Sequence, residues 1–305
     1  MGNHFEFTVV SPDAAWANAR IDEAVAEVKR IESLLTTFDT LSQTYQINAS
    51  AGITPVKVDS EVFNLIARSL RISALTQGAF DITYGSIDKR LWNFDQTMTA
   101  LPDETTARKM VRLINYKNVE LDERNTTVFL KHKGMRIGFG GIGKGYAADR
   151  AKRVLREGGV TSGVVNAAGD LTVWGAQPDG KSWTIGIADP DRRQFPFASL
   201  QLDNISVATS GNYEKFVMIK GEKYSHTIDP KTGYPVRGMK SVTIISSSAE
   251  LADAMAIPVM VMGTKAGLHL VNQIKDLGCI IVDDHNVIHT SRNINMKSLE
   301  SVSNP

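Results

Sequence analysis

The sequence has 305 residues, of which 42% are hydrophobic and 22% are charged, as in an ordinary globular protein. Its 34 basic and 33 acidic residues leave a net charge of +1, which offers no electrostatic basis for binding nucleic acid. Cys279 is the only cysteine, so the chain can form neither an internal disulfide nor a cysteine metal cluster.

Hydrophobic runs in this sequence are too short to cross a membrane. The longest candidate, residues 254–262, contains Pro258 and falls well below the roughly 18 apolar residues of a membrane span. Residues 1–13 lack the basic head and the long apolar run of a signal peptide. We therefore expect no transmembrane segment in this chain.

The first half of the chain is predicted to be mainly helical. A strand at residues 5–10 precedes a helix that Asp13 caps, because Ile21, Val25, Val28 and Ile31 recur at helical spacing. A loop is predicted at 39–54, helices at 60–76 and 105–114, and an irregular turn at 76–87.

The second half is predicted to be rich in short strands before it returns to helix. A hairpin at 119–140 leads into a glycine loop and a helix at 146–159, and strands follow at 160–175 and 182–190. A helix at 250–274 is expected to break at Pro258 and near Gly263, and a hairpin closes residues 279–291. Helices at both ends with strands between them predict an α+β fold.

The glycine loop GFGGIGKG, residues 138–145, fits two phosphate-binding motifs by letter. As a phosphate loop it lacks the Ser or Thr after Lys144, where Gly145 stands. As a dinucleotide fingerprint it lacks a suitably placed acidic residue, because Asp170 comes late and lies in its own turn. A structural turn without a ligand is the third alternative. The density of glycine, the helix N-terminus that follows and Lys144 favour an anionic, phosphorylated ligand.

Three polar residues stand in contexts that suggest either a structural or a chemical role. His226 precedes the turn DPKTG and is either part of that turn or a base held by its neighbours. Asp253 lies among alanines in an apolar helix, where a carboxylate is a helix cap or a ligand for a hard cation such as Mg²⁺. Asp81 beside Phe80 is a turn aspartate or a second such carboxylate.

Eight segments, taken in order, resemble the ApbE family of FAD:protein FMN transferases along nearly the whole chain. Four are TQGAFDITYG (76–85), GGIGKGYAADRA (140–151), HTIDPKTGYP (226–235) and ADAMAIPVMVMG (252–263). The others are the opening Met1-Gly2, LLTTFDTLSQTYQIN (34–48), NAAGDL (166–171) and ATSGNYE (208–214).

The resemblance implies one α+β domain over residues 1–305, with a polar tail at about 296–305. Its central antiparallel or mixed sheets would be flanked by helices, in an architecture related to the T-fold. It also implies Mg²⁺-dependent transfer of FMN from FAD to a threonine hydroxyl of a target flavoprotein, such as a subunit of a sodium-pumping quinone reductase, with release of AMP. Family members are often lipoproteins or periplasmic. We therefore expect a periplasmic or membrane-anchored protein whose leader is absent from this sequence, or otherwise a cytoplasmic one.

Carried over residue by residue, the resemblance predicts three sets of site residues. The FAD-binding set is Met1, Phe38, Ala79, Phe80, Asp81, Gly138, Lys144 and His226. The metal positions are Gly141, through its carbonyl, Asp253 and Ile257. His226 and Asp253 are the predicted catalytic residues, His226 as the base that accepts the threonine proton.

Two of these positions depart from the family pattern. Gly138 stands where the family commonly has Asp, and Ile257 stands where it has Thr. The alternative hypothesis is therefore a divergent member that binds FAD, or hydrolyses it to FMN and AMP, without efficient transfer. A nicotinamide or nucleoside-triphosphate enzyme is the remaining alternative, and the order of the eight segments argues against it.

Overall fold

The computed structural model describes residues 4–91, 98–192, 195–212 and 216–294. Met1 and the predicted polar tail lie outside these described residues. The predicted α+β fold class is confirmed, because helices accompany sheets in which every strand pairing among the described residues is antiparallel.

The strands of the described chain are, in order, β1 (Phe5–Val9), β2 (Val56–Lys57), β3 (Val119–Asp122), β4 (Thr127–Leu130), β5 (Gly163–Ala167), β6 (Asp170–Trp174), β7 (Trp183–Ala188), β8 (Pro196–Leu202), β9 (Ser206–Gly211), β10 (Phe216–Ile219), β11 (Glu222–Ser225), β12 (Met239–Ser246), β13 (Gly278–Asp283) and β14 (Ile288–Thr290). The α-helices are α1 (Ala14–Leu35), α2 (Gln43–Ala49), α3 (Ser60–Leu75), α4 (Glu104–Val111), α5 (Gly143–Glu157), α6 (Ala249–Met262) and α7 (Thr264–Val271). Short 3₁₀ helices lie at Ile82–Ser86 and Tyr116–Asn118.

The chain divides into two compact units, each made of segments that are distant in sequence. Of the described residues, the first unit contains 31–91, 98–141 and 216–237, and the second contains 4–30, 142–192, 195–212 and 238–294. The prediction of one domain over residues 1–305 stays a prediction.

The second unit is organised around a seven-stranded sheet in the order β1-β5-β6-β9-β12-β13-β14. Helix α6 packs against β9 and β12, and α5 packs against β5 and β6. Strand β12 is buried along almost its whole length, which explains why its sequence MKSVTIIS lacks a polar alternation. A separate hairpin of β7 and β8 belongs to the same unit.

The first unit holds a small sheet in the order β2-β4-β3, the helices α2, α3 and α4, and the β10–β11 hairpin. Its hydrophobic core joins α4 to that hairpin, with Met110 and Val111 packed in one cluster with Val217, Ile219 and Ile228. Gly233 has a φ of +77°, and a Cβ there would overlap the carbonyl of Ala107. The turn DPKTG therefore lies directly on α4, and only glycine fits.

Several element predictions differ from the structure. The loop predicted at 39–54 contains α2, which Ser42 begins by accepting a hydrogen bond from the Tyr45 N–H at 3.0 Å. Helix α5 starts at Gly143, three residues before the predicted start. Helix α6 continues through Pro258 to Met262, because its burial stabilises the helix against the one hydrogen bond that proline removes.

The helix break predicted near Gly263 is confirmed, because α6 ends at Met262 and Gly263 has a φ of +84°. The other predicted helices and the hairpin at 279–291 are also present, whereas the hairpin predicted at 119–140 ends at Leu130. No helix within the described ranges is long and apolar enough to span a membrane.

The N-terminus of α6 is capped by a residue of another helix. Asp149 of α5 accepts hydrogen bonds from the N–H groups of Ala249 and Glu250 at 3.0 Å each, and from the Ser248 hydroxyl at 2.8 Å. A carboxylate at a helix N-terminus satisfies unpaired N–H groups and interacts favourably with the helix dipole. Asp149 thus fixes the start of α6 against α5.

We expect Asp149→Ala to lower the free energy of unfolding by about 1–3 kcal/mol, because three hydrogen-bond donors lose their acceptor. The matched control is Asp13→Ala, which removes a cap that accepts from the N–H of Trp16 at an exposed position. That change should cost about 1 kcal/mol or less. Urea denaturation measures both, and equal losses would contradict the capping role of Asp149.

Candidate functional site

The glycine loop brings α5 and α6 into direct contact within the second unit. The Gly145 N–H donates to Oδ2 of Asp253 at 3.0 Å. A Cβ on Gly145 would overlap the carbonyl of Ala249 and lie 2.8 Å from the Cβ of Asp253. Position 145, where a phosphate loop has Ser or Thr, is therefore glycine in this chain because a second helix occupies the space that a side chain would need.

Asp253 is a buried carboxylate, with 5% of its surface exposed. Burial raises the pKa of Asp253 above its ordinary range, and the negative charge of Asp170 raises it further. Lys144 and the N–H of Gly145 oppose that rise by favouring the ionised form. Asp253 is not the N-cap of its own helix α6, which is Ser248. Its carboxylate instead accepts from the Gly145 N–H in the first turn of α5, so it acts as a cap for the neighbouring helix, and the helix-cap alternative holds in that form.

Asp170 joins this cluster, a role that the sequence pattern around it did not predict. It begins β6 directly after a tight turn in which Ala168 and Gly169 both have positive φ, at 53° and 99°. Such turns favour the twist of a hairpin but are strained for alanine. The turn places a carboxylate that is 2% exposed beside Lys144.

Lys144 lies between the two carboxylates. Its Nζ is hydrogen-bonded to Oδ2 of Asp170 and lies 4.0 Å from Oδ1 of Asp253. The lysine side chain is partly exposed, at 23% of its surface. These residues bring two buried carboxylates and one lysine together, and we call Lys144, Asp170 and Asp253 the charged triad.

In the first unit, Asp81 is held by its own backbone surroundings. Its Oδ1 accepts from the N–H and hydroxyl of Thr83 at 2.8 and 2.6 Å, and its Oδ2 accepts from the Tyr116 N–H at 2.8 Å. Burial raises the pKa of Asp81, and these hydrogen bonds oppose the rise. Asp81 therefore caps the 3₁₀ helix that follows, as the turn alternative expected. Ala79 and Phe80 beside it are buried.

Phe38 and Gly138 lie together on the wall of a cleft of about 640 Å³ in the first unit. Phe38 is 91% exposed, in contrast to the buried Phe80. A Cβ on Gly138 would have no atom within 4 Å, so the space for a side chain is present at this position. Gly141 is half-buried at the end of the same segment.

His226 follows β11 and is half-buried. Its backbone neighbours are tied down, since the Ile228 N–H donates to the Tyr84 hydroxyl at 3.3 Å and the Val236 N–H donates to the Thr227 carbonyl at 2.9 Å. Burial raises the pKa of Tyr84 to about 12, so this phenol stays neutral. The loop that carries His226 is thus built with a defined conformation.

The predicted metal positions differ in what they offer. Ile257 is half-buried on α6, one turn after Asp253, and its side chain has no oxygen. Among the described residues, no three His, Cys, Asp or Glu side chains are grouped as a metal site. Asp253 supplies a carboxylate, and Asp170 supplies a second one in the same unit. Met1 lies outside the described residues, and its predicted role stays a prediction.

Comparison with known proteins agrees with the resemblance found in the sequence. The model of the ApbE family matches residues 1–281. The chain belongs to the ApbE family. An FAD:protein FMN transferase from Klebsiella pneumoniae (strain 342) is 34% identical to this ApbE chain over 268 residues, which is 86% of the chain and 83% of that relative.

Solved ApbE structures share the fold. The ApbE protein of Thermotoga maritima aligns with a TM-score of 0.85 at 32% identity, covering 95% of this chain and 94% of that one. The apo form of the flavinyl transferase ApbE of Pseudomonas stutzeri aligns with a TM-score of 0.82 at 27% identity, covering 96% and 92%. The predicted family and fold of this ApbE protein are therefore confirmed.

We expect Gly145→Ala to destabilise the protein by about 1–3 kcal/mol or more, because the added methyl group would push α6 away from α5. The matched control is Gly140→Ala in the same loop, where a Cβ would have no atom within 4 Å and φ is not positive. Thermal unfolding of the two variants measures the difference. An equal effect at both positions would contradict the close approach of the helices.

Proposed function

We propose that this protein is an FAD:protein FMN transferase that moves FMN from FAD to a threonine hydroxyl of a target flavoprotein, with release of AMP and a requirement for Mg²⁺. The observation that carries the proposal is the charged triad at the N-terminus of α5, in a chain whose relatives bear that enzyme name. The helix N-terminus and Lys144 suit the pyrophosphate of FAD.

The residues of the second unit fit a divalent cation through Asp253. A buried carboxylate whose charge is incompletely compensated is a favourable ligand for a hard cation. Mg²⁺ commonly takes only one or two carboxylates from a protein and completes its shell with phosphate oxygens and water. When bound, the cation would supply neutralisation of negative charge on the pyrophosphate. Asp253 would hold it.

The transfer itself is a phosphoryl substitution. The threonine Oγ forms a bond to the phosphorus of the FMN half of FAD, and the bond from that phosphorus to the bridging oxygen breaks, so that AMP leaves with the electron pair. The threonine proton must be removed, and we assign this to His226. A positioned base contributes about 10²–10⁴-fold to such a step. Lys144 would hold the negatively charged phosphates in place.

A second candidate is an FAD-binding protein, or an FAD hydrolase that forms FMN and AMP, with inefficient transfer. The observation that favours it is the absence of an oxygen from the side chain of Ile257, one turn after Asp253 on α6. The lack of a carboxylate at Gly138 adds to it. The two candidates differ in whether flavin becomes covalently attached to an acceptor.

We expect Asp253→Asn to lower the rate of FMN transfer by at least about 10²-fold, because the anionic cation ligand is lost. The asparagine oxygen can still accept from the N–H of Gly145, and the cost of a buried charge disappears, so stability should not fall. Flavin fluorescence on the acceptor, AMP release and Mg²⁺ titration calorimetry measure the effect. Transfer at the unaltered rate would show that Asp253 is not the essential ligand.

We expect Ile257→Thr to tighten Mg²⁺ binding by roughly tenfold, the scale of an added contact around a metal. Ile257→Val is the matched control, because valine has the shape of threonine without the hydroxyl. A second pair of variants is Gly138→Asp, which adds a carboxylate, and its uncharged control Gly138→Asn. Both side chains fit without rearrangement, because the space at Gly138 is open. If the wild type already transfers FMN efficiently, and neither Ile257→Thr nor Gly138→Asp improves the transfer, the second candidate with inefficient transfer is wrong.

A further inference from the structure

The cleft that Phe38 and Gly138 line is strongly basic, and we call it the basic groove. Its cations are Lys89, Arg90, Lys109, Arg112, Lys133 and Arg136. Among its described lining residues, Asp88 is the one carboxylate. With six cations and one carboxylate, the described part of the lining carries a formal net charge of +5, although the whole chain carries only +1. Such a concentration of one sign attracts an oppositely charged partner.

The single carboxylate of the groove does not neutralise the cations around it. Arg90 donates to both carboxylate oxygens of Asp88, with Nε–Oδ1 and Nη2–Oδ2 distances of 2.7 Å. This hydrogen bonding lowers the pKa of Asp88 to about 2, so the pair stays ionised and is internally balanced. The other five cations are exposed, and none of them forms an ion pair within the described part of the chain.

Three backbone segments that form the groove are tied to each other inside the first unit. The Ser86 hydroxyl donates to the Arg136 carbonyl at 3.0 Å and accepts from its N–H at 2.7 Å. The Gly138 N–H donates to the Ile82 carbonyl at 3.0 Å, and the Asp88 N–H donates to the Met110 carbonyl at 2.9 Å. The cations therefore project from a fixed frame, which lowers the entropy cost of binding.

The charge of the groove exceeds what FAD itself would use. The pyrophosphate carries less negative charge than these cations would neutralise, and Lys144 is already assigned to it. Ala79, Phe80, Asp81 and His226, which are predicted to bind FAD, do not line the groove. Phe38 and Gly138 do line it, so the groove adjoins the predicted cofactor site. The exposed ring of Phe38 adds an apolar surface that a protein partner can cover.

We propose that the basic groove is the docking site for an acidic segment of the acceptor protein, which it holds beside the bound FAD. The identity of the partner as the acceptor rests on the proposed function. Charge complementarity at such a site mainly raises the association rate and selects the partner. Neutral acceptors, and acceptors with basic residues near the threonine, are therefore poor substrates.

The first experiment measures binding alone, with the full chain and without FAD. A fluorescently labelled glutamate-rich peptide is titrated, and its glutamine counterpart serves as the uncharged probe. The groove variant carries both Lys109→Gln and Arg112→Gln. It should bind the glutamate peptide about fivefold more weakly than the wild type, which is the scale for two exposed charges. Added salt should weaken wild-type binding and should reduce the difference between the proteins.

The matched control neutralises two other exposed cations of the same unit, with Arg108→Gln and Lys131→Gln. These residues lie outside the groove lining and pair with Glu104 and Glu120. The control variant has the same net charge as the groove variant and should bind the glutamate peptide as the wild type does. Equal weakening in both variants would mean that only overall charge matters, and it would overturn the proposal.

The second experiment separates the acceptor from FAD and from a membrane. A threonine peptide with an acidic flank is used as acceptor, and the groove variant should raise its KM while the Kd for FAD stays unchanged. A weaker Kd for FAD with an unaltered acceptor KM would make the groove a cofactor subsite and overturn the proposal. The wild type could also bind phosphatidylserine vesicles. If the groove variant loses that binding but still binds the glutamate peptide, the proposal is overturned. If peptide binding behaves as expected but no FMN is transferred, the proposed function fails and the acidic-segment site stands.

Discussion

The contact between α5 and α6 at Gly145 is the constraint on which the rest of the second unit depends. A glycine is needed there because the carbonyl of Ala249 occupies the position of a side chain. The contact allows the Gly145 N–H to reach Asp253, and one turn later Asp149 caps the start of α6. Two hydrogen-bonded points along the pair of helices fix both their separation and their register, so Asp253 has a defined position.

That position gives the charged triad its chemical character. Asp253 and Asp170 are both buried beside Lys144, so the triad holds two carboxylates and one lysine away from most of the solvent. Burying uncompensated charge destabilises a fold, and proteins retain such groups mainly where a cation or substrate completes them. The strained turn before Asp170 also points to a functional site, because backbone strain is commonly retained where a protein binds a ligand or catalyses a reaction. The triad therefore connects an energetic cost of folding with the proposed chemistry.

The first unit contributes shape and positive charge. Its predicted site residues have different environments: Asp81 is satisfied by backbone N–H groups, whereas Phe38 is almost fully exposed. Gly138, where the resemblance predicts an aspartate, leaves open space on the wall of the basic groove. An aspartate at that position would lower the positive charge of the groove. The departure from the family pattern thus bears both on the cofactor and on the acceptor that the groove would select.

The sequence by itself determined the family, the α+β class and most helices and strands, because eight ordered segments and local periodicity are both local signals. It also singled out Asp253 and Lys144. It missed α2, whose start depends on one cap at Ser42, and it wrongly broke α6 at Pro258, where burial outweighs a local preference. Only the tertiary structure placed Asp170 in the triad, explained Gly145 and collected the cations of the basic groove. Those features depend on residues far apart in the chain, and their side chains meet only when helices and hairpins pack.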